Sequence, residues 1–243
     1  MANFEGIKQE GKYLDADDYE WHRVKYYYEH NVDPFNTTYE QLHQLLSTTF
    51  KHARRRENFF TNIDRQPDFT LRCVYSGKVL SDAQGNMLEK ANEEHSFPQS
   101  FQKGSKAGTG RDMHAIFAAD SHVNGSRGNV PFGNQGELVA EDECGGTYRQ
   151  GKRRFFQPRL NRGALARASL YILVCYMGCA HPHYLPKESL EWMIEAAQEE
   201  VSDWEKHRNQ ELFRLQGNRN PFIDYPHLAK AISFEKGWQA NPQ

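Results

Sequence analysis

Apolar side chains recur every three to four positions in several stretches of the chain, the spacing of amphipathic helices. Capping signals mark two of their ends. Thr38 with Gln41, and Ser202 with Glu205, have the spacing of a capping box, and Gly217 is a typical residue just past a helix. The pattern therefore predicts helices over residues 17–31, 37–56, 162–177, 186–201 and 202–218.

Strand signals are confined to the middle of the chain. Phe69, Leu71, Cys73 and Tyr75 alternate with other residues and predict a strand. A second extended piece ends near His95, and a third precedes a short helix that opens near residue 121. The segment around residues 135–161 has no such pattern and is expected to be irregular. The fold class predicted is α+β, a mainly helical domain with a small β element.

No composition shift divides the 243 residues, so we expect one domain over residues 1–243. Its parts would be a helical lead-in (1–68), a β-containing core (69–134) and basic and C-terminal helices (149–230). The longest apolar run, residues 170–180, is too short to cross a bilayer, which takes about 20 residues. The polar N-terminus contains no signal-peptide core, so the chain is expected to stay inside the cell or to have lost a leader.

Charge is distributed unevenly along the chain, although the net charge is only −2. No Asp or Glu occurs between Cys144 and Lys187, and the cations there are Arg149, Lys152, Arg153, Arg154, Arg159, Arg162, Arg167 and Lys187. A basic strip on an otherwise acidic body can attract a polyanion, because local potential rather than net charge steers a ligand. The alternative is a set of solvated side chains with no partner.

The segment 93–134 combines carboxylates, histidines, amides and basic residues. Phosphodiester hydrolysis requires a base near neutral pH, for which His is suited, and a cation that stabilises charge on phosphorus. Mg²⁺ prefers oxygen ligands and takes few of them from protein. The inventory is therefore sufficient for a one-metal nuclease, but a Glu next to a His is not specific by itself.

Three stretches of the sequence make the interpretation sharper. They are "EEHSFPQSF", "DMHAIFAADSHVNGSRGNVPFG" and "EVSDWEKHRNQELFRLQGNRNPFID", and they closely resemble the endonuclease I family. The resemblance covers about residues 75–224. It implies a non-specific hydrolase of DNA and RNA with a ββα-metal active site, a divalent metal, 5′-phosphate products and, in many members, secretion or a periplasmic location. Neither a membrane nor an obligatory protein partner is implied.

Carried over by position, the resemblance makes His95 the general base and Glu94 with Asn124 the ligands of one Mg²⁺, for which Mn²⁺ or Ca²⁺ could substitute. Arg127 is implied as a phosphate or structural contact. Arg111 is our choice for assisting the leaving group. The phosphate contacts expected along the rest of the backbone are Lys103, Lys106, Arg162 and Arg167.

Some residues leave alternatives open. In a regular strand Glu93 rather than Glu94 shares a face with His95. The family motif, together with an expected end or bulge of the strand before Ser96, favours Glu94. Asn129 is expected to cap local backbone rather than to bind metal. Ala115 stands where the family has an Asn that could support the site.

Two other functions compete with the nuclease. One is a nucleic-acid-binding module of the same fold with weak or no catalysis. The other is an interaction protein with a structural zinc bound by Cys175, Cys179, His181 and His183. We disfavour the zinc, because both cysteines lie on an apolar helix, where Cys usually packs as a small hydrophobe.

Overall fold

The computed structural model describes residues 13–51, 62–101, 109–180 and 184–238. The helices in these ranges are α1 (Ala16–Glu29), α2 (Tyr39–Thr49), α3 (Ser121–Arg127), α4 (Arg162–Cys175), α5 (Lys187–Ala196), α6 (Asp203–Gln216), α7 (Pro221–Asp224), α8 (Leu228–Ala231) and α9 (Glu235–Trp238). The strands are β1 (Leu71–Arg72), β2 (Val79–Ser81), β3 (Ala91–His95), β4 (Ile116–Asp120), β5 (Glu137–Asp142), β6 (Gly145–Gln150) and β7 (Arg153–Pro158). The α+β prediction is confirmed.

The predicted helix ends are present. Thr38 and Gln41 form a reciprocal capping box at the start of α2, and Ser202 with Glu205 forms another at the start of α6. Gly217 follows α6 with φ of 81°, a left-handed conformation that glycine adopts without steric cost. Local backbone chemistry therefore sets these boundaries.

Helix α4 forms the centre of the core. Every residue from Gly163 to Cys175 is buried, so this helix is surrounded by protein on all sides. It packs against α2, α5 and α7. A helix that is apolar around its whole circumference can be accommodated only in such a central position.

Strands β3 and β4 pair antiparallel, and α3 begins at the residue after β4. The pairing is continuous from Ala91 opposite Asp120 to His95 opposite Ile116. The Asp120 carboxylate accepts a hydrogen bond from the His122 backbone N–H at 2.8 Å and caps the helix. The result is a compact ββα unit that holds the two strands and α3 together.

The basic segment was expected to be irregular, and that expectation was wrong. Residues 137–158 form the three-stranded antiparallel sheet β5-β6-β7. All six residues of β5 are exposed. The strand therefore lacks the alternation of apolar and polar residues from which a half-buried strand is recognised.

The "QGNRNPFID" stretch is buried and polar. Asp224 accepts hydrogen bonds from the hydroxyls of Tyr19 at 2.7 Å and Tyr27 at 3.0 Å, both on α1. It also accepts two from Arg219, at 2.8 and 2.9 Å, and one from Asn209 at 2.9 Å. This Asp224 cluster joins α1 to the C-terminal helices and gives the sequence motif a structural reason.

Candidate active site at the end of strand β3

The ββα unit brings Glu94, His95 and Asn124 together. Glu94 and His95 are the last two residues of β3, and Asn124 lies in the middle of α3. The Asn124 side-chain nitrogen donates a hydrogen bond to the Glu93 carbonyl at 3.1 Å. This contact fixes the amide of Asn124 against β3. Because the amide nitrogen is the donor, the side-chain oxygen remains to accept a hydrogen bond or to bind a metal ion.

Glu94 is buried, with 2% of its surface exposed. Its Oε1 accepts hydrogen bonds from the Tyr75 hydroxyl at 2.7 Å and from Arg127 Nη1. The guanidinium supplies the counter-charge that a buried carboxylate requires. Tyr75 is a site residue that the sequence did not reveal, because only the folded chain brings it next to Glu94.

Strand β3 ends at His95, directly before Ser96 and without a bulge, so the expected end of the strand is present. Alternation along β3 directs Glu94 and His95 to opposite faces. Helix α3 nevertheless contacts the Glu94 side chain through Arg127 and contacts only the backbone carbonyl of Glu93 through Asn124. Glu94 is therefore the carboxylate that shares the α3 face.

Arg127 holds the end of β3 in place. Besides Glu94, it donates to the carbonyls of His95 at 3.1 Å, Ser96 at 3.3 Å and Val130 at 3.3 Å. The guanidinium also lies 4.3 Å from the centre of the Phe132 ring. Arg127 is only 4% exposed. Of the two expected roles, these contacts show the structural one.

Burial opposes the charge on Arg127, but Tyr75 and Glu94 outweigh it and raise the pKa of this guanidinium above its ordinary value. Burial also raises the pKa of Tyr75 well above its ordinary value. Arg127 is thus a permanent cation and Tyr75 a permanent hydroxyl donor near neutral pH. Both fix the orientation of the Glu94 carboxylate.

His95 is half-buried and has two polar neighbours at Nε2. The Gln99 side-chain nitrogen lies 3.1 Å away and the Gly110 carbonyl 3.4 Å away. A Cβ atom at residue 110 would lie 2.8 Å from that Gln99 nitrogen, so Gly110 permits the close approach. Neither neighbour was predicted from the sequence, because both lie in the segment expected to be a loop.

The basic residues expected to contact phosphate divide into three groups. Arg111 is exposed and directly follows Gly110, in the single helical turn Thr109–Arg111. Arg162 is partly exposed and pairs with Glu199 at 2.9 Å. Lys103 and Lys106 lie outside the described residues.

The expectation that Arg167 contacts phosphate was wrong. It is 1% exposed and donates to both carboxylate oxygens of Glu205, at 2.8 and 2.7 Å. It also donates to the carbonyls of Ala197 and Glu199. A guanidinium enclosed in this way cannot reach a phosphate outside the protein. Its position on the central helix α4 explains the difference.

Behind β4, a buried polar network contains His114 and Asp112. His114 Nε2 lies 3.2 Å from the Asn218 carbonyl, and burial lowers the pKa of this imidazole. The Asp112 carboxylate accepts hydrogen bonds from the hydroxyls of Tyr171 at 2.7 Å and Tyr176 at 3.1 Å. Ala115 is buried and accepts the Ser96 N–H at its carbonyl, so its backbone supports the residue after His95.

The oxygen atoms near α3 fit a hard cation. Both hydrogen bonds to Glu94 fall on Oε1, and within the described residues no hydrogen bond reaches Oε2. Oε2 and the Asn124 side-chain oxygen are thus a carboxylate oxygen and an amide oxygen on neighbouring elements, the atom types that a hard cation prefers. The described ranges contain no group of three or more His, Cys, Asp or Glu side chains that could bind a metal. Mg²⁺ does not need such a group, because water and phosphate complete its coordination.

The zinc alternative receives no support from the cysteines. Cys175 and Cys179 are free and buried, and the Cys179 thiol lies 3.8 Å from the Ile172 carbonyl to which it donates. Burial raises the pKa of Cys179 to about 12, which disfavours the thiolate that zinc binds. His181 and His183 lie outside the described residues.

Comparison with known proteins matches this sequence to one family. The chain is 35% identical over 187 residues to an extracellular ribonuclease of Bacillus subtilis (strain 168), an alignment that covers 69% of this chain and 62% of the relative. It is 34% identical over 167 residues to an extracellular ribonuclease of Bacillus amyloliquefaciens, covering 61% of this chain and 55% of that protein. The chain thus spans less than two thirds of the length of these two relatives.

An extracellular deoxyribonuclease of Aeromonas hydrophila is 30% identical over 211 residues, which cover 74% of this chain and 91% of the relative. No helix in the described ranges has both the length and the apolar character needed to cross a membrane. The family model described as Endonuclease I matches residues 22–227, which include the whole ββα unit. This chain belongs to the endonuclease I family.

Proposed function

We propose that the protein is a divalent-metal-dependent, sequence-non-specific endonuclease that hydrolyses phosphodiester bonds of DNA and RNA. The observation that supports this proposal is that Glu94 and His95 end the strand β3, against which α3 holds Asn124 through the Glu93 carbonyl, in a chain of the endonuclease I family. Relatives named as ribonucleases and deoxyribonucleases support both substrates. Departure of the 3′ oxygen from phosphorus gives products with 5′-phosphate ends.

His95 is the general base in this proposal. A neutral imidazole accepts a proton near neutral pH, and the Gln99 and Gly110 contacts restrain the ring at the end of β3. His95 and Glu94 are adjacent at the end of β3, and the proposal assigns the proton transfer to His95 and the metal ion to Glu94. Arg111, next to Gly110, is the cation that we assign to the leaving oxygen.

Glu94 and Asn124 are the residues that would hold the metal ion. A bound Mg²⁺ supplies positive charge to the phosphate oxygens as negative charge develops in the transition state. Mn²⁺ and Ca²⁺ are alternatives for an oxygen-ligand site. Tyr75 and Arg127 hold the Glu94 carboxylate in one orientation. These two residues orient the Glu94 carboxylate before a metal ion binds.

Lack of sequence specificity follows from the contacts available. Exposed cations on β6 and β7 and at the start of α4 can bind backbone phosphates, which carry no base information. Arg162 is the α4 residue that we assign to such a contact. The acidic surface elsewhere repels a polyanion, which is therefore attracted to the basic face.

Two broader proposals accompany the activity. The relatives' names include extracellular and periplasmic proteins, and we propose that this protein also acts outside the cytoplasm. Fractionation of producing cells would test this, and recovery only in the cytosolic fraction would contradict it. We also propose that residues 1–243 fold as one domain, which the contacts of α1 with the Asp224 cluster support.

A plasmid-nicking assay tests the activity. The wild type should convert supercoiled plasmid to nicked and linear forms with Mg²⁺ and should stop in EDTA. His95→Ala should lose at least about 100-fold in rate, the low end of general-base effects. His227→Ala, which removes an exposed imidazole far along the chain, is the matched control and should retain activity.

The same assay separates the enzyme from the competing function. A binding module would retard plasmid in a gel and leave it intact with Mg²⁺. Equal activity of the wild type and His95→Ala would remove His95 from the reaction. Cleavage that persists in EDTA would contradict the metal requirement.

A further inference from the structure

A cavity lies next to the candidate active site and has no role in the mechanism above. It has a volume of about 380 Å³, in the range of sites that bind small molecules (about 300–1,000 Å³). Its lining residues are Ser100, Phe101, Asn129, Pro131, Arg153, Arg154, Tyr184 and Pro186. Two parts of its lining are close in sequence to the active site. Ser100 and Phe101 come shortly after His95, and Asn129 and Pro131 come shortly after the end of α3.

An aromatic pair forms one wall of this cavity. The rings of Phe101 and Tyr184 stack with their centres 6.1 Å apart and their planes only 4° from parallel. Phe101 is buried and also contacts Phe97 edge to face, so it is a fixed support. Tyr184 is 47% exposed. The stack therefore presents a supported aromatic side chain at the rim of a cavity, as proteins that stack unpaired bases do.

Arginines form the opposite wall. Arg153 and Arg154 on β7 are both exposed. Arg153 lies 3.5 Å from Glu188, whereas Arg154 forms no ion pair with any described residue. In the sheet, Arg154 is directly opposite Arg149 on β6. Like charges at directly opposed positions destabilise a pair of strands, and a bound anion would relieve that repulsion.

The other neighbours of the arginine pair leave this end of the sheet basic. Arg149 is also opposite Glu137 on β5, which offsets one of the two charges. Lys152 lies at the exposed turn between β6 and β7. A phosphate group next to Arg154 would therefore meet a local excess of positive charge.

We infer that this cavity is a subsite for one unpaired nucleotide adjacent to the scissile phosphate, with its base against Tyr184 and its phosphate on Arg154. This inference rests on the proposed nuclease function and narrows its substrate to strands with accessible bases. A base can stack on a protein ring only when it has left its own duplex stack. The protein should accordingly cleave single strands in preference to duplexes.

The test compares cleavage of one fluorescent DNA oligonucleotide alone and annealed to its complement. For each enzyme, the ratio of kcat/KM on the single strand to that on the duplex is measured. Stacking of one base contributes about 1–3 kcal/mol, so Tyr184→Ala should lower this ratio about 5- to 150-fold. Tyr184→Phe should restore it, because the ring is kept. Tyr28→Ala, which removes an exposed tyrosine on α1, is the matched control and should not alter it.

A second measurement follows binding without cleavage. Anisotropy of fluorescent oligothymidylate with the His95→Ala variant in EDTA gives Kd at several salt concentrations. Arg154→Gln should reduce the slope of log Kd against log salt by about 0.7, the value for one phosphate contact on a single strand. An unchanged slope would remove Arg154 from the subsite.

The outcomes distinguish the two proposals. If the wild type cleaves both substrates but Tyr184→Ala leaves the ratio unchanged, the subsite is wrong and the nuclease stands. If the wild type cleaves neither substrate, the nuclease proposal fails. The anisotropy of Tyr184→Ala in the His95→Ala background then decides the subsite, and an unchanged Kd overturns it.

Discussion

Replacing Arg167 by methionine separates a buried structural arginine from a phosphate-binding one. Arg167 makes four hydrogen bonds, two to Glu205 and one each to the carbonyls of Ala197 and Glu199, at 2.7–2.9 Å. Methionine retains most of the apolar length of the side chain and removes the charge. Arg162, five residues earlier on the same helix, is partly exposed and is the natural comparison.

The two substitutions should differ sharply in their effect on stability. Arg167→Met leaves the Glu205 carboxylate, only 5% exposed, without its cation. Loss of one member of a buried ion pair costs about 3–5 kcal/mol. Arg162→Gln breaks an exposed pair with Glu199 and should cost less than about 1 kcal/mol. The expected difference in the free energy of unfolding is therefore at least about 2 kcal/mol.

Urea denaturation followed by tryptophan fluorescence measures this difference, and duplex DNA binding at several salt concentrations gives the phosphate contacts. For any variant that remains folded, Arg167→Met should leave the salt slope of binding unchanged. Arg162→Gln should reduce it by about 0.9, the value for one phosphate on duplex DNA. The double variant Arg167→Met/Glu205→Gln should recover part of the lost stability, because the uncompensated charge is gone.

The reasoning would be refuted by the opposite pattern. If Arg167→Met unfolded at the same urea concentration as the wild type and lowered the salt slope, Arg167 would have to be accessible to DNA. The buried pair with Glu205 would then not describe the protein in solution.

Further measurements test the site and its surroundings. Asn124→Ala should raise the Mg²⁺ concentration for half-maximal cleavage at least about tenfold, whereas Asn124→Asp, which keeps an oxygen ligand, should raise it less; equal Mg²⁺ dependence in all three proteins would exclude Asn124 as a ligand. Affinity for duplex DNA should fall steeply between low and moderate salt, and a flat response would contradict phosphate binding. Burial lowers the pKa of His114 below the value of about 6.5 expected when unfolded. Below about pH 6.5 the His114 imidazole is therefore protonated in the unfolded chain but still neutral in the folded chain. The free energy of unfolding is thus unaffected by His114 above about pH 6.5 and falls as the pH is lowered further. Urea denaturation between pH 7.5 and 5 should show a weaker pH dependence in His114→Gln, and an unchanged dependence would exclude this imidazole as a cause.

Local chemistry made the helices predictable from sequence. Thr38, Ser202 and Gly217 act within a single turn of backbone, so their effect on α2 and α6 can be read without knowing the fold. The apolar run of α4 likewise indicated a buried helix, which the structure confirms. The strand predicted from Phe69 to Tyr75 is reduced to two residues, because Phe69 adopts a left-handed φ of 62° before it and a turn over residues 74–76 follows it.

Roles that depend on long-range contacts were not predictable in the same way. The family resemblance assigned Arg167 to a phosphate contact, but its burial depends on Glu205, which lies on α6. The β5-β6-β7 sheet was missed because pairing across strands, rather than an apolar face, defines it. For the site itself, the family resemblance indicated Glu94 and Asn124, whereas Tyr75 and Gln99 emerged only from the geometry.

The Asp224 cluster joins segments of the chain that the ribosome synthesises at very different times. Tyr19 and Tyr27 bond a carboxylate that follows them by 205 and 197 residues. During synthesis, α1 leaves the ribosome long before its partner exists, and its polar hydroxyls can only face water until residue 224 emerges. Closure of such a distant contact is slow because it orders a very long loop. Docking of α1 on this cluster can therefore be completed only after residue 224 has been synthesised.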